Sequence, residues 1–460
     1  MLKNLFGHIL DIIEELFKQE EIWVFLFLVF LGGALVIILP VRYIIWLLTP
    51  FVVFAVLWPL TRSTWLFWRQ AMFKKNIDFV LLELKIPRQI KKTPEAMEQV
   101  LAAMASLRNA PGDIREKYID GEVTRWFSLE IVSFGGEIHF YVMVYKKLVN
   151  LLESAFFSYY PDIEVVEVED YVKQMPQDLV ELYRRDWDIW ATEMILTRED
   201  AYPIKTYPHF EAELEERQND PMSTFLEVLS KVKPGEFVGI QILIAPAGSE
   251  WRKKWEGLLE NMKEPKMKEI TSGADQMQSF AKMIARSPVE TDVLEEVEKN
   301  LSKPAFDTLI RFIYTAPNNI FYESFARRGL VGAFNQYSTL HMNGFRQNIK
   351  MSTRTLIWYW PHLFPKWRNE YKKQRILYNY LNREVPPETW MGRLITSHPL
   401  NWNFISKRFQ MNIEGLATIF HPPSSIVLTE PHIRHLESRR MGPPAGLPIF
   451  GEEDDVEKYK

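Results

Sequence analysis

The hydrophobic pattern opens in steps of three and four. Leu2, Leu5, Phe6, Ile9, Ile13, Leu16 and Phe17 line one side of a helix whose other side carries Asp11, Glu14, Glu15 and Lys18. Residues 1–21 are therefore expected to form an amphipathic helix lying either in a membrane interface or against a partner helix. Two charge-free apolar runs follow, 22–39 and 43–60, divided by Pro40, Val41 and Arg42. Crossing a hydrocarbon core of roughly 30 Å takes about 20 helical residues, so 22–60 predicts a transmembrane helical hairpin. Trp23, Tyr43, Trp46, Trp58, Trp65 and Trp68 stand at the ends of the runs, where amphipathic rings favour the headgroup zone. Arg62, Arg69, Lys74 and Lys75 in the basic segment 61–76 outnumber the single Arg42 of the turn, which directs both termini and the main body to the cytoplasmic side of the inner membrane. The acidic start and the two long runs do not fit a cleaved signal peptide.

Beyond the hairpin the period changes. Residues 79–86 form a β-rich run ended by Pro87, and Thr93, Pro94 and Glu95 open a helix that reaches about 107. Strands are expected at 126–132 and 138–144 around a turn of Phe134, Gly135 and Gly136. A helix over 146–160 stops at Pro161, and 163–168 alternates as a strand. The order β-α-β-β-α-β over 77–172 is that of a ferredoxin-like domain. After a polar helical connector at 176–188 the pattern begins again. The second domain, 173–340, is expected to carry strands at 192–196, 204–207, 237–245 and 306–314. Its helices fall after Asp220-Pro221 and at 250–262, 291–301 and 321–336, with a polar insertion at 263–282. The fold class is α+β, with the second domain elaborated and a candidate divergent duplicate of the first.

Over 341–440 the composition turns basic and aromatic. Arg346, Lys350, Arg354, Arg368, Lys372, Lys373 and Arg375 are interleaved with Trp358, Trp360 and Trp367. Such a mixture suits single-stranded nucleic acid, through phosphate contacts and base stacking. It equally suits a headgroup surface or a packed extension with solvated basic faces. The tail, 441–460, is rich in Pro and Gly and then acidic, as in flexible segments. With 47% apolar and 25% charged residues the body should fold, and a net charge of −4 implies no global preference for nucleic acid. The absence of cysteine excludes disulfides, thiolate metal sites and cysteine nucleophiles.

No G-x-x-x-x-G-K-[ST] loop, G-x-S-x-G elbow or H-E-x-x-H helix occurs in the chain. His432 and His435 have an i, i+3 spacing without a third ligand beside them. No catalytic, cofactor-binding or metal-binding residue is nominated. The expectation is a non-enzyme without cofactor, the alternative being a membrane enzyme whose site residues are dispersed.

Three stretches resemble a known family. Residues 412–423 (NIEGLATIFHPP), 429–431 (TEP) and 442–448 (GPPAGLP) are similar to the segment that precedes the motor in HerA/TraG-like conjugation ATPases of the type IV secretion group. Residues 82–87, 92–99 and 160–162 resemble the membrane-anchored N-terminal region of that family in small-genome bacteria. In such proteins the PP-x-x-LP element leads into a RecA-like ATPase, and here the motor is expected to be on a separate polypeptide or absent. The resemblance implies a non-catalytic assembly subunit of a secretion or DNA-transfer machine, a homo-oligomer that docks a separate hexameric P-loop ATPase through Pro443, Pro444, Gly446, Leu447 and Pro448. The alternative is a membrane-tethered nucleic-acid-binding module using 340–409.

Overall fold

The computed structural model describes residues 27–33, 42–87, 93–212, 220–263, 267–270, 280–283, 287–356, 362–397 and 406–423. Of the expected hairpin, 27–33 are helical, and the second run belongs to helix α1, Arg42–Lys75. The amphipathic segment 1–21 and the rest of the first run lie outside the described residues. Helix α1 is 34 residues long, about 51 Å at 1.5 Å per residue. It does not end at Leu60 as expected. The segment 61–75 continues the same helix, because Leu66 and Phe73 extend an inward face that packs on the body, and Arg62 and Lys74 bond to it as well. Among the described residues α1 alone is long and apolar enough to cross a membrane, over Leu48–Lys75, and little of that stretch is buried.

The body is built on one antiparallel sheet of nine strands. Strands β1 (Phe79–Lys85), β2 (Phe127–Phe134), β3 (Glu137–Tyr145) and β4 (Glu164–Val168) lie in the order β4-β1-β3-β2. Strands β5 (Trp187–Leu196), β6 (Phe237–Pro246), β9 (Ala305–Pro317) and β10 (Phe345–Gln347) repeat it as β10-β5-β9-β6. The halves join through β2 and β6, paired antiparallel from Phe127↔Ile244 to Phe134↔Phe237. The β2–β3 turn needs positive φ at both central positions, and Gly135 (58°) and Gly136 (97°) supply it. A short strand β11 (Phe409–Asn412) adds to β9, so the segment 341–440 contributes two strands to the sheet rather than an appendage. The strand expected at 204–207 does not form. Those residues lead into a helix, Tyr207–Ala212, and the Tyr207 N–H donates to Thr418 Oγ1 at 3.0 Å. Within the insertion, β7 (Met267–Ile270) and β8 (Phe280–Met283) pair as a separate ribbon.

Helices α2 (Pro94–Ser106), α3 (Val149–Tyr159), α5 (Ser223–Ser230) and α9 (Ile413–Ile419) cover one face through Met97, Phe156, Phe225 and Leu416. The other face is covered by the connector after β4, with its helix α4 (Leu179–Arg184), and by α7 (Pro365–Leu381). Helix α6 (Pro288–Ser302) begins with a capping box between Ser287 and Glu290. Beyond its last residue, Lys303 Nζ lies 2.6 Å from both Glu98 of α2 and Glu414 of α9. Burial raises the Glu414 carboxyl, but hydrogen bonds from Lys303 and Thr206 outweigh it and hold the group below its ordinary value. Its contribution to stability is therefore present at neutral pH and lost as pH falls through the depressed value. In Lys303→Met the buried Glu98 loses its cation, and Glu414 keeps only Lys299, at 3.2 Å. The variant should be destabilised by about 3 kcal/mol at pH 7, and the deficit should narrow on acidification as Glu414 protonates. Unfolding of the full chain in detergent across pH 4–7 checks both.

Candidate functional site: the seam between anchor and sheet

A strand buried on both faces should be apolar throughout, and the central strands break that rule at one level. Glu130 pairs with Gln241, Gln241 with Arg311 and Arg311 with Glu193, so one polar residue from each of β2, β6, β9 and β5 forms a row across the face beneath α7. All four are fully buried. Arg311 places Nη2 3.0 Å from Glu193 Oε1 and donates from Nη1 to the Asn379 carbonyl at the end of α7. Burial raises the Glu193 carboxyl, with Arg311 and Ser406 opposing that shift, and Glu193 Oε2 has no hydrogen-bond partner.

Glu130 is paired from a distant part of the chain. Arg383 donates from Nε at 2.6 Å and from Nη2 at 3.1 Å to Glu130, and reaches Asp170 through Nη1 at 2.6 Å. Burial works against the Arg383 charge, yet Glu130 and Asp170 outweigh it and hold the guanidinium protonated far above its usual value. The backbone is unusual at the same residue. Helix α7 ends in a Schellman turn, Arg383 N–H to Tyr380 and Glu384 N–H to Asn379. Arg383 fills the left-handed position at φ 48°, where glycine is customary. Its side chain explains the exception, because only a guanidinium there neutralises Glu130. Tyr171 and Tyr380 complete the cluster, their hydroxyls 2.8 Å apart and both raised by burial and then by Glu130.

The next residue reaches the anchor. Lys74, at the end of α1, lies 3.2 Å from Glu384 Oε1, while the Glu384 carbonyl accepts from Arg311 Nη2. Two glycines let the body close on the same helix. At Gly121 (φ 73°) a Cβ would stand 2.5 Å from the Arg69 backbone; at Gly392, in α8 (Trp390–Ile395), one would stand 2.6 Å from the Phe67 ring. Tyr118 accepts from Arg62, Trp65 Nε1 donates to the Tyr118 carbonyl at 2.7 Å, and the Met391 N–H donates to Ser63 Oγ at 3.2 Å. Helix α1 is thus gripped on two sides and tied at its end to the middle of the sheet.

The row's carboxylates face arginines in a sealed interior, and among the described residues no group of three or more His, Asp or Glu side chains is placed to hold a metal ion. An open groove of about 400 Å³ at the far end of the sheet, between Phe134, Trp187 and Phe237, contains one carboxylate, Glu236, already engaged by Tyr314 at 3.0 Å.

The expected basic and aromatic surface is not continuous. Arg368, Lys372 and Lys373 on α7 are buried; Lys373 pairs with Asp188 at 2.6 Å. Arg346 on β10 and Lys350 in the following turn are exposed, Arg354 faces Glu323 at 3.9 Å, and Arg375 lies over the Tyr378 ring. Trp367 is exposed. Trp358 and Trp360 lie outside the described residues, as do Pro443, Pro444, Gly446, Leu447 and Pro448. Sequence reading missed Glu130, Glu193, Gln241, Arg311 and Arg383. The available signal was a charged residue in the interior of each of three largely apolar strands.

Arg383→Gly separates the two demands on that position. Glycine relieves a left-handed backbone cost of about 1 kcal/mol or more, but Glu130 is left buried and unpaired, so the variant should lose about 3 kcal/mol overall. Adding Glu130→Gln should recover part of the loss, as read in a double-mutant cycle of unfolding free energies. A pH dependence belongs to Lys372, which burial and the neighbouring Arg368 lower from 10.5 to about 8. Between those values the unfolded chain keeps a proton that the folded chain has released, so this residue makes stability rise with pH there. Lys372→Met should remove that rise, measured by thermal unfolding of the full chain across the same window.

No curated protein matches the chain. A family model described as "Domain of unknown function (DUF8128)" matches residues 80–432, from β1 through the last described helix. The match takes in the sheet, both its covers and the Arg383 turn and begins immediately beyond the anchor helix, and the chain belongs to that family.

Proposed function

We propose that the chain is a membrane-anchored, non-catalytic assembly subunit of a type IV secretion or conjugation-like transport machine, holding a separate hexameric P-loop ATPase at the cytoplasmic face. The observation that carries this reading is the grip of the body on α1. A catalytic or binding module on a tether needs only a flexible linker, whereas this body is fixed to its apolar helix by Gly121, Gly392 and the Lys74–Glu384 pair. In this reading the first apolar run completes a hairpin with α1, and the basic residues Arg62, Arg69, Lys74 and Lys75 keep the body on the cytoplasmic side. The β4-β1-β3-β2 order with its two intervening helices supports a ferredoxin-like first half. The repeat of that order supports a divergent duplicate fused edge to edge. Homo-oligomers form around the transport path, and the motor docks through Pro443, Pro444, Gly446, Leu447 and Pro448. Burial of Arg368, Lys372 and Lys373 leaves the nucleic-acid alternative with fewer available phosphate contacts.

Detergent extraction of the full chain from its native cells, followed by identification of co-purifying proteins and measurement of particle mass, tests the proposal. A P-loop ATPase in a large particle is expected, lost on deletion of 441–460 while the oligomer persists. A homo-oligomer carrying nucleic acid and no ATPase would overturn it.

A further inference from the structure

The body presents a ring of exposed apolar side chains where the anchor meets it. On one side of α1, the short helical segment carrying Tyr118 leaves Ile114 and Ile119 at 77% and 57% exposure. On the other, α8 leaves Leu394 and Ile395 at 47% and 52%. Between them Trp65 and Trp68 project from the helix itself, each about half exposed. All three elements are held at one level of α1. Tyr118 is bonded to Arg62 and Trp65, and α8 meets Ser63 and Phe67. Large aliphatic side chains at such exposure cost free energy in water, roughly 25 cal/mol per Å² of apolar surface.

Position along the helix identifies what covers them. The apolar, unpacked part of α1, including Phe51, Phe54 and Leu57, is exposed and lies N-terminal to this level. Arg62 is the first charged residue met on leaving it. From 42 to 59 the helix rises about 27 Å, close to one hydrocarbon core, so the ring falls at the depth of the headgroups. Tryptophans and cations belong there. Arg69 lies 6.0 Å and 5.8 Å from the Trp65 and Trp68 ring centroids, and Arg115 and Lys117 are exposed beside Ile114 and Ile119.

We infer that Ile114, Ile119, Trp65, Trp68, Leu394 and Ile395 form a collar that inserts into the headgroup region of the bilayer around the anchor, with the adjacent arginines and lysine drawn to anionic lipid phosphates. The inference rests on the membrane reading of α1 and adds to it. The body lies against the membrane, at a fixed orientation, instead of projecting from it.

The chain contains no cysteine, so single labels are available without background. Ile119→Cys and Leu394→Cys, each carrying an NBD fluorophore on the full chain, would be reconstituted into phosphatidylcholine–phosphatidylglycerol vesicles containing nitroxide-headgroup or nitroxide-chain lipid. Phe54→Cys reports the span. Tyr322→Cys is the distant control: it follows the exit of β9, whose last residues pair through β6 with the far end of β2, whereas Trp126 at the entry of β2 faces Lys74. Headgroup nitroxide should remove about half the signal at 119 and 394, as for groups seated in the interface, and leave 322 unchanged. The signal at 54 should respond to chain nitroxide instead. If 119 and 394 behave like 322 while 54 is quenched, the anchor reading survives and the collar is overturned. If 54 is not quenched either, the membrane reading falls and the collar with it.

Discussion

Glu130 cannot be buried without Arg383, and much of the architecture follows from that necessity. A carboxylate at the centre of β2, with no exposed surface, requires a cation within hydrogen-bonding distance. The one that serves it comes from 253 residues later in the chain. Closing the second face of the sheet therefore waits for the segment that carries α7 and its Schellman turn. The same turn delivers the Asn379 and Glu384 carbonyls to Arg311 and the Glu384 carboxylate to Lys74. First half, second half and anchor are thus brought into register by a few residues. A row of apolar side chains would pack there at lower electrostatic cost, but it would tolerate sliding of α7 along the face. Paired charges in fixed registers do not, which is the sense in which such groups confer specificity rather than stability.

The first half of the sheet was legible because its signals are local. Alternation in β1 to β4, the glycines of the β2–β3 turn, and proline at the start of α2 each report the backbone within a few residues. The joining of the two halves was not legible. Strands β2 and β6 are each inwardly apolar on the face covered by helices, and a period of two names a face without naming a neighbour. For the same reason the sequence did not show that the two halves share one sheet. The end of α1 was misplaced because Arg62 and Arg69 resemble a membrane exit in sequence, while the helix that carries them continues on the strength of Leu66 and Phe73 packing against the body.

Helix α7 shows the limit of composition more sharply. Its residues Lys366, Arg368, Lys372, Lys373 and Arg375 count as a basic surface in one dimension. In three dimensions one face of the helix is turned inward, and Arg368, Lys372 and Lys373 go with it. Counting charges gives their number and not their direction, and direction depends on where Asp188 arrives from β5 to meet Lys373. The residues of the seam were overlooked for the complementary reason. Glu130, Glu193 and Arg311 are scattered charges inside largely apolar strands, too sparse to form a motif, although a charge at a buried, inward position is itself the mark of a distant partner.

Geometry at the base of the anchor bears most directly on what the molecule can do. Only residues 76–78 separate the end of α1 from β1, too few to act as a swivel. Even this short link is bypassed by contacts at Arg62, Trp65, Phe67, Arg69 and Lys74. Any tilt of α1 must therefore move the helical turn at 116–121 and helix α8, and through Glu384 it must load the polar row beneath α7. An anchor that served only to raise local concentration would gain nothing from this coupling. Contacts at this many points hold the sheet at one orientation to the axis of α1, which a flexible link of three residues would not do.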